Sequence, residues 1–522
     1  MRKTLGKILL LILSVLMLTS CDAFISQYIN LPTTKKTTTA IPITTTTTEE
    51  PVGPTTTKEI DDNITTKTYT GSDSISDVLL FSINDTHGEL YGDEDSTRMS
   101  LAQVGGIINY LEEEKDQDYI KICAGDLFQG SYVSNMTEGL CMIDALNAMS
   151  FDCLVLGNHE FDWGLDVIYQ YFDGIEENGE ASFPLICCNV FDSSNSNLRP
   201  EWIQPYLIIE YYDVKVGIIG AIGADEESQI AASSLGTYWF DTEDQYVKRY
   251  AKELRQYGCD VVVLAEHDYT EETLTRLAKL TGDYRIDAFI CGHTHQSIET
   301  TFSRSDGYRI PTLQSYTKNG NVGTITIKLT NKVPSGYLIA HFNKNFFNQY
   351  VLETDSKVDQ VLAKYQYKYD EGSEVLYNLP RNLTSKQDIA DYMIAAMNYY
   401  CNGDIGMVNT GGVRSSSHPS GPVTFADILE WFPFDNKVVY VIMTGEKLIQ
   451  YYNHKSGMIF NSDFDASAII STEEYILTTS DYCAAYNNTE ILRYTTDGIL
   501  HNSNIIMYDM LRSYLLYLSE KS

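Results

Sequence analysis

Positive charge is what this 522-residue chain has least of: 37 Lys and Arg stand against 71 Asp and Glu, a formal charge of −34. With no basic field to exchange for counterions, the chain is not expected to bind nucleic acid polymers. A small anionic substrate would be repelled as well, unless bound cations reversed the local field. The ten cysteines include no Cys-x-x-Cys pair, and Cys123, Cys187, Cys188 and Cys291 lie inside apolar runs. A disulfide framework is therefore not expected, and most thiols read as small buried apolar groups. There is no internal repeat. The apolar run Ile8 to Leu18 is too short to span a bilayer comfortably.

That run follows Arg2, Lys3 and Lys7 and closes on Leu18-Thr19-Ser20-Cys21. The order matches a signal peptide ending in a bacterial lipobox. Residues 1–20 are expected to be a lipoprotein signal peptide, with a lipid anchor on Cys21 holding the mature chain at the outer face of the membrane. An ordinary signal peptide with an incidental cysteine is the alternative. Residues 21–76 are dominated by Thr, with Pro32, Pro42, Pro51 and Pro54 and few large apolar residues. Such a composition buries too little to offset ordering entropy and reads as a disordered stalk. As coil, about 50 residues would hold the folded part on the order of 40 Å from the lipid.

From Asp77 short apolar runs alternate with amphipathic stretches. Val78 to Ile83, Tyr119 to Cys123, Cys153 to Leu156, Val214 to Ile219, Val261 to Leu264 and Ala288 to Cys291 read as buried strands. Met99 to Lys115, Met142 to Met149 and Asp244 to Tyr257 have helical spacing, so an α/β layered domain is expected. Gly323 to Leu329 and Gly336 to His341 suggest closing strands. A charged, helix-prone stretch, Asp355 to Lys368, then leads to a second domain from about Gly372.

Five strand ends carry metal-ligand residue types: Asn84-Asp85-Thr86-His87, Gly125-Asp126, Gly157-Asn158-His159-Glu160-Phe161-Asp162, Glu266-His267-Asp268 and Gly292-His293-Thr294-His295. Residues just beyond strand C-termini converge on one edge of a sheet, where α/β domains bind ligands. Five of the nine histidines fall there, whereas His341, His418, His454 and His501 have no such setting and read as solvated. Val214 to Ile219 ends in Gly-Ala-Ile-Gly-Ala, with no ligand. Each motif alone is weak. Together they predict a metal site, and imidazole, amide and carboxylate donors suit Zn, Mn, Fe or Co.

The ordered set DxH, GDxxxG, GNHExD, H and GHxH resembles the calcineurin-like metallophosphoesterases, and within them the 5′-nucleotidase family, which includes UDP-sugar hydrolases and cyclic nucleotide phosphodiesterases. The resemblance runs over nearly everything from Asp77. It implies a four-layer α/β/β/α metallophosphoesterase sandwich over 77–345, a connector helix over 346–371 and an α+β substrate-binding domain over 372–522. It also implies two divalent metal ions. One would be held by Asp85, His87 and His295, the other by Asn158, His267 and His293, with Asp126 bridging them. UDP-sugar hydrolases often have Gln where this chain has His295, which exchanges one ligand for another. His159 would be the catalytic histidine and Asp162 the carboxylate that orients it; a purely structural His159 is the bland alternative. Glu160 reads as a hydrogen-bond partner rather than a base.

In the second domain Asn409-Thr410-Gly411-Gly412-Val413-Arg414 and Pro433-Phe434-Asp435-Asn436 resemble the family's NxGGxR and PFxN signatures. The resemblance gives Arg414 the substrate phosphate, Phe434 the base, and Asn409 and Asn436 polar contacts. Further on the chain departs from the family. Tyr482 can still stack, but the expected Gly-Gly-Asp-Gly loop is replaced by Cys483-Ala484-Ala485-Tyr486-Asn487-Asn488. Around Leu379 to Asp388 the family's Arg-and-Glu segment is altered too, and Arg381 is a candidate second phosphate contact. The resemblance also implies that the second domain swings about the connector. The function expected is an extracellular phosphatase acting on nucleoside 5′-monophosphates. A phosphodiesterase acting on cyclic nucleotides or UDP-sugars is the runner-up, and a non-catalytic surface binding lipoprotein is the alternative from another class.

Overall fold

The computed structural model describes residues 64–521 apart from 72–73, 94–95, 455 and 486–489. The expected signal peptide, Cys21, most of the stalk, and Tyr486, Asn487 and Asn488 lie outside the described residues. Among the described residues no helix is long and apolar enough to cross a membrane.

Alternation within single strands sets the layers. In Asp77–Ile83, Val78 and Leu80 face one side and Leu79 and Phe81 the other, and all four are fully buried. A strand apolar on both faces must be covered twice. Val78 and Leu80 join Ile120, Ile122, Val155, Val216, Ile218, Val261, Val263 and Ile290 in a core between two seven-stranded sheets. Leu79 and Phe81 pack outward with Val104 and Ile107 of helix Leu101–Lys115 and Met142 and Leu146 of helix Leu140–Ala148. On the far side Val262, Leu264 and Phe289 meet Val247, Ala251 and Leu254 of helix Asp244–Gln256. The first domain is thus an α/β/β/α sandwich.

The strands that carry the ligand motifs run parallel within their sheets. Asp77–Ile83 pairs with Ile120–Cys123, which pairs with Cys153–Val155; in the other sheet Val214–Ile222, Val261–His267 and Ala288–Cys291 are parallel neighbours. Parallel pairing gathers their C-terminal ends along one edge of each sheet.

Thr66–Tyr69, which composition assigns to the stalk, is instead an edge strand paired in parallel with Tyr206–Tyr211. Its anchor is the buried Asp152. Lys67 Nζ lies 2.5 Å from Oδ1, the Tyr69 hydroxyl donates to both oxygens at 2.9 Å, and Lys121 N–H donates to Oδ2 at 2.7 Å. Thr suits a strand edge as well as it suits a coil, and the deciding carboxylate is remote in sequence.

Where one connector helix is expected over 346–371, the structure has two helices, Lys344–Gln349 and Ser356–Gly372. Asp355 caps the second, accepting from Lys357 N–H at 2.8 Å while its other oxygen accepts from Asn109 Nδ2 at 2.8 Å. The second domain is a five-stranded mixed sheet in the order Met458–Phe460, Ile405–Asn409, Glu474–Ser480, Lys437–Thr444, His501–Ile506. Helices Lys386–Cys401 and Met507–Ser519 cover one face and Gly445–His454 the other. It meets the first domain where Arg98 pairs with Glu430 at 2.7 Å and Gln129 Nε2 donates to the Pro433 carbonyl at 2.5 Å. His341, His418 and His501 are half-buried rather than solvated; His418 faces Asp427 at 3.4 Å and His501 Nε2 lies 2.8 Å from Asp497. The nine described cysteines are unpaired.

Replacing Asp152 with Ala leaves Tyr69 O–H and Lys121 N–H without their acceptor. A loss of about 1–3 kcal/mol in urea unfolding is expected, with amide exchange accelerating selectively at Thr66–Tyr69.

Candidate metal centre

Five of the seven donors sit in left-handed backbone beyond strand ends, whereas His267 closes its strand and Asn158 opens a 3₁₀ turn. Asp85 (φ 48°), His87 (φ 49°), Asp126 (φ 53°), His293 (φ 75°) and His295 (φ 57°) all have positive φ. This conformation costs a non-glycine residue about 1 kcal/mol or more and persists only where neighbours fix it. Here they do: Asp85 N–H donates to Gly125 O, His87 N–H to Asp126 O, and Lys318 N–H to Asp85 O, at 2.8–3.0 Å. Gly125 (φ 84°) lies so close to His267 that a Cβ would fall 2.4 Å from Nδ1. The Glu160 carboxylate ties two loops together, accepting from the N–H groups of Gly157, Asp126 and Leu127 at 2.7–2.9 Å. Burial and the Asp126 charge push its pKa up to about 7.

The side chains form two donor clusters that share Asp126. Asp85, His87, Asp126 and His295 make one; Asp126, His267 and His293 make the other, and both could hold a metal ion. Asn158 Oδ1 joins the second, 3.2 Å from His267 Nε2 and 3.2 Å from His293 Nδ1. All seven residues expected as ligands are therefore brought together.

The chemistry of the donors fits divalent ions. His87 Nδ1–H donates to the Gln129 carbonyl at 3.0 Å and His267 Nδ1–H to the Ala124 carbonyl at 2.8 Å. Both rings thus turn Nε2 inward. His87 Nε2 meets His295 Nε2 at 2.9 Å, and His267 Nε2 meets Asp126 Oδ2 at 3.2 Å. Burial holds His87 well below the ordinary imidazole range, so its inward nitrogen is a bare lone pair. At His267 burial acts the same way, but the Asp126 carboxylate outweighs it and raises the pKa. Without ions that site attracts protons, the same demand that a dication satisfies.

His159 lies at the rim, on the 3₁₀ turn Asn158–Phe161. Its N–H donates to Asp126 Oδ1 at 2.9 Å and its Nδ1–H to Asp162 Oδ2 at 2.7 Å, leaving Nε2 4.0 Å from Asp126 Oδ2. Burial lowers its pKa, but Asp162 and Asp126 more than offset this and the net shift is upward. His159 and Asp162 open onto a cleft of about 430 Å³. Asn409, Arg414, Phe434, Asn436 and Tyr482, all expected in substrate binding, line that cleft. The Phe434 ring stacks near His159 with centroids 5.9 Å apart, and the Arg414 guanidinium lies 5.8 Å from the same ring.

Other residues could not be placed from the sequence. Strand Val214–Ile222 runs past the glycine read as its end, and the turn beyond brings Glu226 within 3.0 Å of His293 Nε2 and Ser228, Gln229 and Ser234 into the cleft wall. Its acidic run, Asp225-Glu226-Glu227, was the available signal. Arg381 pairs with Asp388 at 2.7 Å and is not among the cleft-lining residues. Lys386 is closer to the NxGGxR turn, donating to the Thr410 carbonyl at 3.0 Å.

A sandwich of this order with paired donor clusters is the architecture expected of a metallophosphoesterase. Residues 80–297 match the calcineurin-like phosphoesterase family and residues 373–470 the 5′-nucleotidase C-terminal domain. The chain thus carries a calcineurin-like phosphoesterase domain followed by a 5′-nucleotidase C-terminal domain. It is 23% identical to the endonuclease YhcR of Bacillus subtilis (strain 168) over 75% of this chain, and spans 34% of that longer relative. A 5′-nucleotidase of Vibrio cholerae is 21% identical, over 73% of this chain and 76% of that one. In three dimensions the chain resembles a 5′-nucleotidase precursor from Thermus thermophilus, with a TM-score of 0.69 and 18% identity over 85% of this chain and 97% of that one. At that identity the likeness is one of fold.

Because both clusters contain Asp126, Asp126→Asn should lower metal occupancy at both positions. Elemental analysis after metal loading checks this; an unchanged ion content would remove Asp126 from its shared place.

Proposed function

We propose that the chain is a secreted, metal-dependent phosphatase that hydrolyses nucleoside 5′-monophosphates to nucleoside and phosphate. The reading rests above all on two donor clusters meeting at Asp126, with His159 at their rim and a cleft lined by Phe434 and Tyr482. In it Asp85, His87, Asp126 and His295 hold one ion and Asp126, Asn158, His267 and His293 the other. Two bound dications supply Lewis-acid stabilisation of phosphoryl charge and make water more acidic. Asp162 fixes the His159 ring by its 2.7 Å bond to Nδ1 and favours the imidazolium. The Nε2 proton then faces the reacting oxygens, where it stabilises developing charge and passes to the leaving oxygen.

Arg414 grips the substrate phosphate, Phe434 and Tyr482 offer aromatic faces to the base, and Asn409 and Asn436 hydrogen-bond around it. Among the described lining residues Arg414 is the single Lys or Arg, against Asp162, Asp435 and Asp481. One cation beside the donor clusters suits a small monoester better than a polyanion, which would need a basic track. The leader pattern supports action outside the membrane, with Cys21 as the lipid attachment point.

Phosphate release from AMP, UMP, UDP-glucose and cyclic AMP, with and without chelator, tests the reading. AMP and UMP should turn over and chelator should stop them. Preference for UDP-glucose or cyclic AMP would replace the phosphatase with a phosphodiesterase, and inactivity of metal-loaded protein would favour the binding lipoprotein. His159→Ala should keep its ions yet lose about 10²–10⁴ in kcat. Activity that needs the imidazolium falls as pH rises through the His159 pKa. Since Asp162 raises that pKa, Asp162→Asn should move the alkaline limb of the pH–rate profile to lower pH.

A further inference from the structure

Glu226 touches the metal centre without belonging to either donor cluster. It lies on the turn Ala224–Gln229, just beyond strand Val214–Ile222, and is 5% exposed. Its Oε2 is 3.0 Å from His293 Nε2, and Gln229 Nε2 donates to the same oxygen at 2.9 Å. The other ring nitrogen, Nδ1, faces Asn158 Oδ1 at 3.2 Å, inside the second cluster.

These contacts favour the proton on Nε2. Oε2 of Glu226 already accepts from Gln229 Nε2–H, so this oxygen acts as an acceptor, and His293 Nε2–H at 3.0 Å is the matching second donor. Nδ1 is then left as a lone pair directed at the cluster. His87 and His267 arrive at the opposite tautomer, because their Nδ1–H groups go to backbone carbonyls and Nε2 turns inward. At His293 the ring nitrogens meet side chains instead. The Gln229 contact, at 3.2 Å from Nε2, cannot replace the carboxylate: an amide N–H aimed at Nε2 would favour the reverse tautomer. Nor does the main chain help, since His293 N–H is committed to Asp85 at 2.9 Å.

We propose that Glu226 is a positioning residue that fixes the tautomer and ring orientation of His293, and so the affinity of the second cluster for its ion. It acts through His293, not on substrate. The proposal rests on the metallophosphoesterase reading, and its test separates the two.

Manganese(II) binding to the chelator-treated full chain is followed by titration and by the electron paramagnetic resonance signal of neighbouring ions. Wild type should bind two ions. Glu226→Ala should keep the first and bind the second about 10–100-fold more weakly, losing the coupled-pair signal at limiting manganese. Glu226→Gln, which keeps a carbonyl acceptor for Nε2–H, should recover most of the affinity. Equal melting temperatures of the metal-free proteins separate this from a folding defect, and a variant that does not fold is replaced by Glu226→Ser. Two tight ions in the Ala variant would overturn the role of Glu226. A Gln variant as weak as Ala would overturn it too, because charge rather than orientation would then matter. Wild type that binds no manganese, zinc, iron or cobalt would sink the metal-dependent function itself.

Discussion

A single buried carboxylate organises this molecule. Asp126 is 1% exposed, sits at a left-handed turn after strand Ile120–Cys123, and belongs to both donor clusters. An isolated buried anion is costly, and what offsets the cost is the ring of groups around it. His267 meets one oxygen at 3.2 Å and the His159 backbone N–H donates to the other at 2.9 Å. Those partners hold its pKa well below the ordinary carboxylate range even though burial pushes the other way. The sandwich, with parallel strands ending on a common edge, is what brings such distant partners to one carboxylate.

Backbone chemistry supplies the precision. Left-handed turns aim short polar side chains inward, and carbonyls of Gln129 and Ala124 choose the tautomers of His87 and His267. Near His293 that part is played by a side chain, Glu226, from a turn with no donor of its own in either cluster. The donors are thus aimed by groups that lie just behind them, in line with the cost of losing such groups in metal sites generally.

Charge explains the division between domains. A chain of formal charge −34 repels phosphates at long range, so binding them needs local positive charge. One source is the donor set of the first domain with its cation demand. In the function proposed, the other is Arg414, which lines the cleft on the turn after strand Ile405–Asn409. The Arg98–Glu430 pair and the Gln129–Pro433 contact join the two domains.

Local pattern alone determined the strand ends that bear Asp85, Asp126, Asn158, His267, His293 and His295, because buried strands read as short apolar runs and donors beyond them are chemically conspicuous. Arg414 and Phe434 were marked by the family resemblance of their motifs rather than by local pattern. Only the tertiary structure could decide the rest. Thr66–Tyr69 folds because Asp152, remote in sequence, accepts its bonds. Glu226 matters because a turn 67 positions before His293 passes behind that ring. Arg381 is drawn to Asp388 rather than the cleft because the nearer carboxylate captures it. Sequence shows which groups are available; which of them meet depends on how the strands pack, since a hydrogen bond or ion pair is fixed by distance in space and not by separation along the chain.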